Sequence, residues 1–199
     1  MEKVENKLEL ALSNLLKEES LENITVAELT KEADISRRLF YVYYKDKETF
    51  IESIFKKHLM NLKIEAEKDR AILSTISKFP KLSKINLYSS EAFFNIANYV
   101  DINRKILSAL VSKNGSLLFY YKIHDLFIEE FHERINLFKG RYVRNIKSEY
   151  IDEFYVGSIL GQFMVWITIN NPDSIESFLE RLGKFQITAP YEFLIPNII

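Results

Sequence analysis

Apolar residues recur every three or four positions along most of the chain, which is the spacing that lines one face of an α-helix. Only 5 glycines and 4 prolines interrupt the 199 residues. The pattern therefore predicts an all-α protein. The predicted helices span residues 3–18, 26–33, 36 onward, 47–68, 90–99, 102–111, 116–138, 148–170 and 173–185. Residues 77–90 are predicted to form a loop, and the tail 186–199 has no helical period.

Two helix start signals lie close together near the N-terminus. Thr25 can accept a hydrogen bond from the Glu28 amide while the Glu28 side chain reaches back, which is a capping box. Asp34 then ends the short helix, and Ser36 can cap the next one. Two short helices joined by such a turn form a helix-turn-helix. A further cap at Asp46 opens the long fourth helix.

Positive charge is concentrated on the second helix of this motif. The whole chain has a formal net charge of -1, and residues 1–47 contain eight Lys or Arg and ten Asp or Glu. Residues 36–47 alone contain four basic residues and one acidic residue. Because the first residues of a recognition helix reach base edges in the major groove, Arg37 and Arg38 are the candidates for base recognition.

Other side chains of the same stretch suit the DNA backbone or the protein interior. Lys45 and Lys47 follow the helix, where they can contact phosphates. The hydroxyl groups of Tyr41 and Tyr43 can do the same, whereas Phe40 and Tyr44, one helical turn apart, are placed to pack inward. The stretch is therefore interpreted as a surface that reads the DNA groove, supported from the inside by packed aromatic side chains. A plain helical hairpin with a solvated charged face is the alternative.

The composition argues against an enzyme. The chain has no cysteine, and its three histidines, His58, His124 and His132, form no His-x-x-x-His pair. No segment fits a glycine-rich phosphate loop. The sequence therefore predicts no metal, no cofactor and no catalytic activity.

The termini and the apolar segments bear on location. Glu2, Glu5 and Glu9 occupy the place where a secretory signal needs basic and then apolar residues. The most apolar stretch, 154–169, is shorter than the roughly 20 residues that a bilayer requires. The sequence therefore predicts a cytoplasmic protein with no membrane segment.

The stretch "ITVAELTKEADISRRLFYVYYKDKETFI" (24–51) resembles the DNA-binding region of the TetR family of bacterial repressors, and the likeness extends over about residues 8–60. The segments "ILSALVSKNGS" (106–116) and "FYVGSILGQFMVWITINNPDSIESFLERL" (154–182) are similar to a C-terminal domain of TetR-type regulators from low-GC Gram-positive bacteria. The resemblance implies an N-terminal three-helix DNA-binding domain, residues 1–47, with the fourth helix 47–68 as its connection. It also implies a helical effector-binding and dimerisation domain, residues 48–199.

The resemblance also implies which positions touch DNA. They are Thr25, Ser36, Arg37, Arg38, Leu39, Tyr41, Tyr43 and Lys47, with Lys45 close by. Three positions depart from the family pattern: Asp34 stands where glycine is usual, Leu39 where a small residue is common, and Val42 where a basic residue is frequent. The operator sequence therefore does not follow from the resemblance.

A helix-turn-helix protein normally binds DNA as a dimer, so a dimer interface is expected in the C-terminal helices. Gly157 and Gly161 lie four apart in helix 148–170, where each glycine costs roughly 1 kcal/mol relative to alanine. Such a pair is useful where another backbone approaches closely. We expect it, with Phe178 and Leu182 of helix 173–185, to form the dimer interface; packing within one subunit is the alternative.

The middle helices, 90–138, are rich in aromatic residues. Apolar walls with a few polar groups suit a small organic ligand. The candidate pocket residues are Phe93, Phe94, Tyr99, Tyr120, His124 and Phe127, and ordinary core packing is the alternative for each.

These observations predict a homodimeric repressor that binds a double-stranded, palindromic DNA operator and responds to a small-molecule effector. One alternative is a ligand-sensing or protein-interaction module that has lost DNA binding, which Leu39, Val42 and the acidic first helix favour. A helical enzyme is the weaker alternative, because no convergent polar site is evident.

Overall fold

The computed structural model describes residues 2–74 and 85–187, and within them the chain forms nine helices and no strand. The helices are α1 (Glu2–Leu15), α2 (Val26–Glu32), α3 (Arg37–Tyr43), α4 (Lys47–Leu73), α5 (Ile85–Ile102), α6 (Arg104–Leu110), α7 (Leu117–Leu137), α8 (Ser148–Thr168) and α9 (Ile175–Ile187). The predicted all-α class is confirmed.

Two boundaries in the middle of the chain differ from the sequence prediction. Helix α4 continues to Leu73 instead of ending at 68. Helix α5 begins at Ile85, so the predicted loop is wrong for residues 85–90. The serines of that stretch, Ser89 and Ser90, lower helix propensity by only a fraction of a kcal/mol each, too little to end a helix. The rest of that loop and the tail from 188 lie outside the described residues.

The chain divides into two compact units. Unit 1 consists of residues 1–63 and 102–126, and unit 2 of residues 64–101 and 127–199. Unit 1 is larger than the predicted DNA-binding domain 1–47, because α6 packs against α1 and Phe119 of α7 lies 4.8 Å, centroid to centroid, from Phe55 of α4. The fully buried large side chains of unit 1 include Leu8, Leu12, Leu29, Phe40, Phe50, Leu110 and Phe119.

Unit 2 has an aromatic core built mainly on α8. The ring of Trp166 stacks on Phe178 of α9 at 4.2 Å, and Phe163 contacts the rings of Phe93 and Phe127. Each buried aromatic side chain removes a large apolar area from water, so these contacts fix α5, α7 and α9 around α8.

A buried polar cluster lies in unit 2 as well. The Asp69 carboxylate accepts hydrogen bonds from the backbone amides of Asn95 and Ile96 at 2.9 and 3.1 Å. Arg134 donates to Glu130 at 2.8 Å and to the Ala92 carbonyl at 2.8 Å. Burial raises the pKa of Asp69 despite these hydrogen bonds. The cluster joins α4, α5 and α7 by polar contacts that are satisfied within the chain.

None of the described helices combines the length and the apolar character that crossing a bilayer would need.

Candidate DNA-recognition surface

The first helix of the motif, α2, begins at the predicted capping box. The Glu28 amide donates to Thr25 Oγ1 at 3.3 Å, and the Thr25 amide donates to Glu28 Oε2 at 2.8 Å. The Thr25 hydroxyl also donates to Glu28 Oε2 at 2.6 Å. These hydrogen bonds from Thr25 lower the pKa of Glu28. The hydrogen bonds therefore favour the ionised carboxylate, and the capping box sets the start of α2 at Val26.

The turn between α2 and α3 depends on Asp34. Its φ is 49°, in the left-handed region, which explains why glycine is usual at this position. Aspartate tolerates that conformation better than most residues. The Lys7 ammonium donates to the Asp34 carbonyl at 3.3 Å, so α1 supports the turn directly.

Helix α3 begins at the second predicted cap. Ser36 has extended backbone angles, and its hydroxyl oxygen accepts from the Leu39 amide at 3.1 Å. On the inner side of the helix, Phe40 is fully buried and contacts the rings of Tyr44 and Phe50 at 5.5 and 6.0 Å. The Ser36 cap and these ring contacts of Phe40 fix which face of α3 points outward.

Replacing Ser36 with alanine is expected to cost about 1 kcal/mol of stability, because an N-terminal amide of α3 loses its acceptor. Chemical denaturation followed by circular dichroism measures the difference. Ser108→Ala is the matched control, since the Ser108 hydroxyl donates to the Lys105 carbonyl within α6 and caps no helix start. Equal stability losses in the two variants would show that the Ser36 cap contributes nothing particular.

The outer face of α3 carries positive charge. Ser36, Arg37, Arg38 and Lys45 are exposed. Within the described part of the chain, neither arginine forms an ion pair. Their guanidinium groups are therefore available to a ligand outside the chain.

The remaining positions of α3 are mixed. Tyr41 and Tyr43 are exposed to 55% and 37%, and Leu39 is half-buried. Val42 is exposed to 68%, which places an apolar side chain on the outer face. The surface therefore combines cations, two phenol hydroxyls and one aliphatic group.

Lys47 has a different setting from the other predicted DNA contacts. Its ammonium donates to the carbonyl oxygens of Leu21 and Glu22 at 3.1 and 2.9 Å. The side chain thus fastens the start of α4 to the α1–α2 connection, and a phosphate would have to compete with two carbonyls. No sequence pattern indicated this, because the partners are 25 and 26 residues away.

The predicted dimer residues separate into two groups. A Cβ atom added at Gly157 or Gly161 would meet no atom within 4 Å, so neither glycine serves close packing within the described chain. Phe178 and Leu182 are buried, at 5% and 0% exposure, in the core of their own chain. Both face the chain's own core, and Phe178 packs there on Trp166 of α8; their place in a dimer interface stays a prediction.

The predicted pocket residues do not come together in one unit. Phe93, Phe94, Tyr99 and Phe127 belong to unit 2, whereas Tyr120 and His124 belong to unit 1. Phe93 and Phe127 are buried in ring contacts with Phe163, as core packing predicts. Phe94 is exposed to 47%, so nearly half of its surface faces outward.

No group of His, Asp and Glu in the described residues is arranged to hold a metal ion.

Two capped short helices, the second buried through one aromatic face and cationic on the other, characterise a helix-turn-helix transcription regulator.

Comparison with family models assigns the family. The chain belongs to the TetR family: the model described as "Bacterial regulatory proteins, tetR family" matches residues 11–54, and the model described as "Transcriptional regulator C-terminal region" matches residues 89–187. The predicted family is confirmed. Proteins of this family are DNA-binding transcription regulators and not enzymes.

A solved structure shares the fold. The fatty acid degradation regulator FadR from Bacillus halodurans is similar with a TM-score of 0.62 and 13% sequence identity, over 94% of this chain and 96% of that one. At this identity the likeness concerns the fold alone. No curated protein matches the sequence.

Proposed function

We propose that this regulator is a homodimeric repressor that reads a palindromic DNA operator through α3 and is controlled by a small organic effector. The observation that carries the proposal is the position of Arg37 and Arg38. Both are exposed at the start of a helix that the Ser36 cap and the buried Phe40 hold in place. Arginine can donate two hydrogen bonds to guanine, so the pair supplies base recognition.

The other predicted contacts would hold the DNA backbone. Tyr41, Tyr43 and Lys45 flank the arginines with hydroxyl and ammonium donors. Ser36 and Thr25 stand at the starts of α3 and α2, where backbone amides also point outward. Leu39 would make apolar contact only. Lys47 is better assigned to holding the protein's own loop, because two carbonyl oxygens already accept from it.

The dimer is proposed to form through the outer face of α8. Tyr150, Phe154 and Val165 are exposed to 69%, 71% and 62%, and they share that face with Gly157 and Gly161. Exposed apolar patches of this kind commonly mark protein interfaces. The two glycines would let the backbone of the partner's helix approach closely.

Replacing both glycines with alanine tests the dimer. Alanine favours a helix by about 1 kcal/mol over glycine, and nothing in the described chain opposes the new Cβ atoms, so each subunit gains stability. In the dimer, the added methyl groups would push the partner away and weaken association roughly tenfold or more. Sedimentation equilibrium measures the dissociation constant, and thermal unfolding at fixed concentration measures stability. A more stable subunit with unchanged association would place the interface elsewhere.

The effector is proposed to be a small organic molecule bound by the C-terminal helices. The resemblance to TetR-type regulators and the aromatic residues of unit 2 support this part of the proposal. An effector that favours one arrangement of the two DNA-binding units would change operator affinity by its difference in binding free energy. Operator binding requires contact with chromosomal DNA, so the proposed location is the cytoplasm.

Selection of bound sequences from a random duplex library, at near-physiological salt, tests the proposal. An enriched palindrome would support a dimeric reader and supply its operator. A folded dimer that enriches nothing, both alone and with cell extract as a source of effector, would contradict the proposal. That result would favour a sensing module without DNA binding, to which the exposed Val42 on the outer face of α3 already points.

A further inference from the structure

The connection between α1 and α2 is held by a residue far away in the sequence. Asn114, in the loop between α6 and α7, donates from Nδ2 to the Leu16 carbonyl at 3.0 Å. The Leu21 amide in turn donates to the Asn114 carbonyl at 2.8 Å. Leu16 directly follows α1, where carbonyl groups lack helical partners, so Asn114 satisfies one of them. Asn114 thus binds the first residue of the ten-residue connection 16–25, Leu16, and a residue near its middle, Leu21.

A second side chain holds the same connection from another element. Lys47, the first residue of α4, donates to the carbonyls of Leu21 and Glu22 at 3.1 and 2.9 Å. The Leu21 residue is therefore fixed through its amide by Asn114 and through its carbonyl by Lys47. We call these contacts the Asn114–Leu21–Lys47 clamp.

The loop that carries Asn114 is tightly closed. The Ser116 amide donates to the Leu110 carbonyl at 2.7 Å, and the Asn114 amide donates to the Ser112 hydroxyl at 3.3 Å. A Cβ atom at Gly115 would lie 2.1 Å from the Leu110 carbonyl oxygen, which no side chain tolerates. This closure fixes Asn114 on the end of α6, and α6 packs on α1.

From Lys47 the contacts lead to the recognition helix. Phe50, one turn further along α4, contacts Tyr44 at 5.1 Å and Phe40 at 6.0 Å between ring centroids. Phe40 is the residue that buries α3. A change at the start of α4 is therefore passed through Phe50 to Phe40, the residue whose packing holds α3 and its two arginines in place.

We propose that Asn114 is a positioning residue for DNA recognition, acting through the Asn114–Leu21–Lys47 clamp on the orientation of α3. The proposal rests on the proposed function of α3 as the operator reader. The positioning runs through the protein alone and requires no contact between Asn114 and DNA. Asn114 lies within the matched C-terminal region, 89–187, and Leu21 within the matched DNA-binding region, 11–54, so the clamp joins the two.

The substitution Asn114→Asp tests the clamp with little change in shape. It removes the Nδ2 donor and places a carboxylate beside the Leu16 carbonyl oxygen. Hydrogen exchange of the full-length protein, measured without DNA by mass spectrometry, is expected to become faster across residues 20–47. Operator affinity is expected to fall roughly tenfold, because the hydrogen bond is lost and the Leu16 carbonyl is left without its donor. Affinity for random duplex should be unchanged.

Two control variants separate the clamp from charge effects. Asn136→Asp makes the same change at an exposed residue of unit 2, and its exchange and operator affinity should equal those of the wild type. Lys47→Met should reproduce the faster exchange of Asn114→Asp. Lys45→Met removes the same charge from an exposed side chain and should leave exchange unchanged while weakening all duplexes alike.

Hydrogen exchange and operator affinity test different parts of the proposal, and each can contradict its own part. Exchange in Asn114→Asp that matches Asn136→Asp would overturn the clamp, whatever the DNA data show. Faster exchange with full operator affinity and full discrimination would overturn its role in positioning α3. A wild type that selects no DNA sequence would instead refute the proposed function, and the exchange result would still decide whether Asn114 orders residues 20–47.

Discussion

Replacing Arg37 and Arg38 together with alanine is expected to abolish the preference for the operator over random DNA. Each bidentate contact of an arginine with a guanine is worth about 1–3 kcal/mol of discrimination, so the pair accounts for about 2–6 kcal/mol. Both side chains are exposed and form no ion pair with the described residues, so stability should change little. Fluorescence anisotropy with operator and scrambled duplexes, at one fixed salt concentration, measures the effect.

A matched variant separates base recognition from the loss of charge. Arg141→Ala with Arg144→Ala removes two exposed arginines from the connection between α7 and α8, and so lowers the net charge equally. This control should keep the operator preference. If both double variants lose the same affinity for operator and scrambled DNA, the arginines of α3 contribute only general attraction to phosphates, and base recognition must lie elsewhere.

The start of the helix-turn-helix could be predicted from the sequence because its determinants are local. The capping box joins Thr25 to Glu28, and the Ser36 cap accepts from Leu39, so both partners of each contact lie within three residues. Phe40 was predicted to face inward from its spacing to Tyr44. Local contacts of this kind carry over from sequence to structure without knowledge of the rest of the fold.

The features that the sequence did not reveal are contacts between distant elements. Phe178 and Leu182 lie on an apolar stripe that serves a core or an interface equally well, and only the packing of α9 on α8 assigns them to the core. The double role of Asn114 depends on Leu16, 98 residues away. In the sequence, Asn114 belongs to the segment 106–116 that resembles a C-terminal domain, and nothing in that segment indicates its partners Leu16 and Leu21.

The buried His58 is expected to make the protein lose stability as the pH falls from about 6.5 to 4. His58 is fully buried in α4, and burial, assisted by the neighbouring Lys57, lowers its pKa from 6.5 to about 4. Glu9, 3.8 Å from Nε2, already accepts from Lys57 at 2.6 Å. In that pH range His58 is protonated in the unfolded chain and neutral in the native state. Acid therefore favours unfolding by up to roughly 3 kcal/mol. Above pH 6.5 both states are neutral and the effect vanishes.

Comparison with His58→Leu isolates this contribution, since the other two histidines, His124 and His132, are present in both proteins. Urea denaturation at fixed protein concentration, repeated between pH 4.5 and 8, should show the stability of the variant relative to the wild type rising as the pH falls. The increase should reach roughly 2–3 kcal/mol at the acid end, because leucine carries no proton in either state. Nuclear magnetic resonance of the imidazole ring provides the direct check. Parallel stability curves, together with a ring that titrates near pH 6.5, would mean that the native state admits the proton and that α4 opens around His58 at little cost.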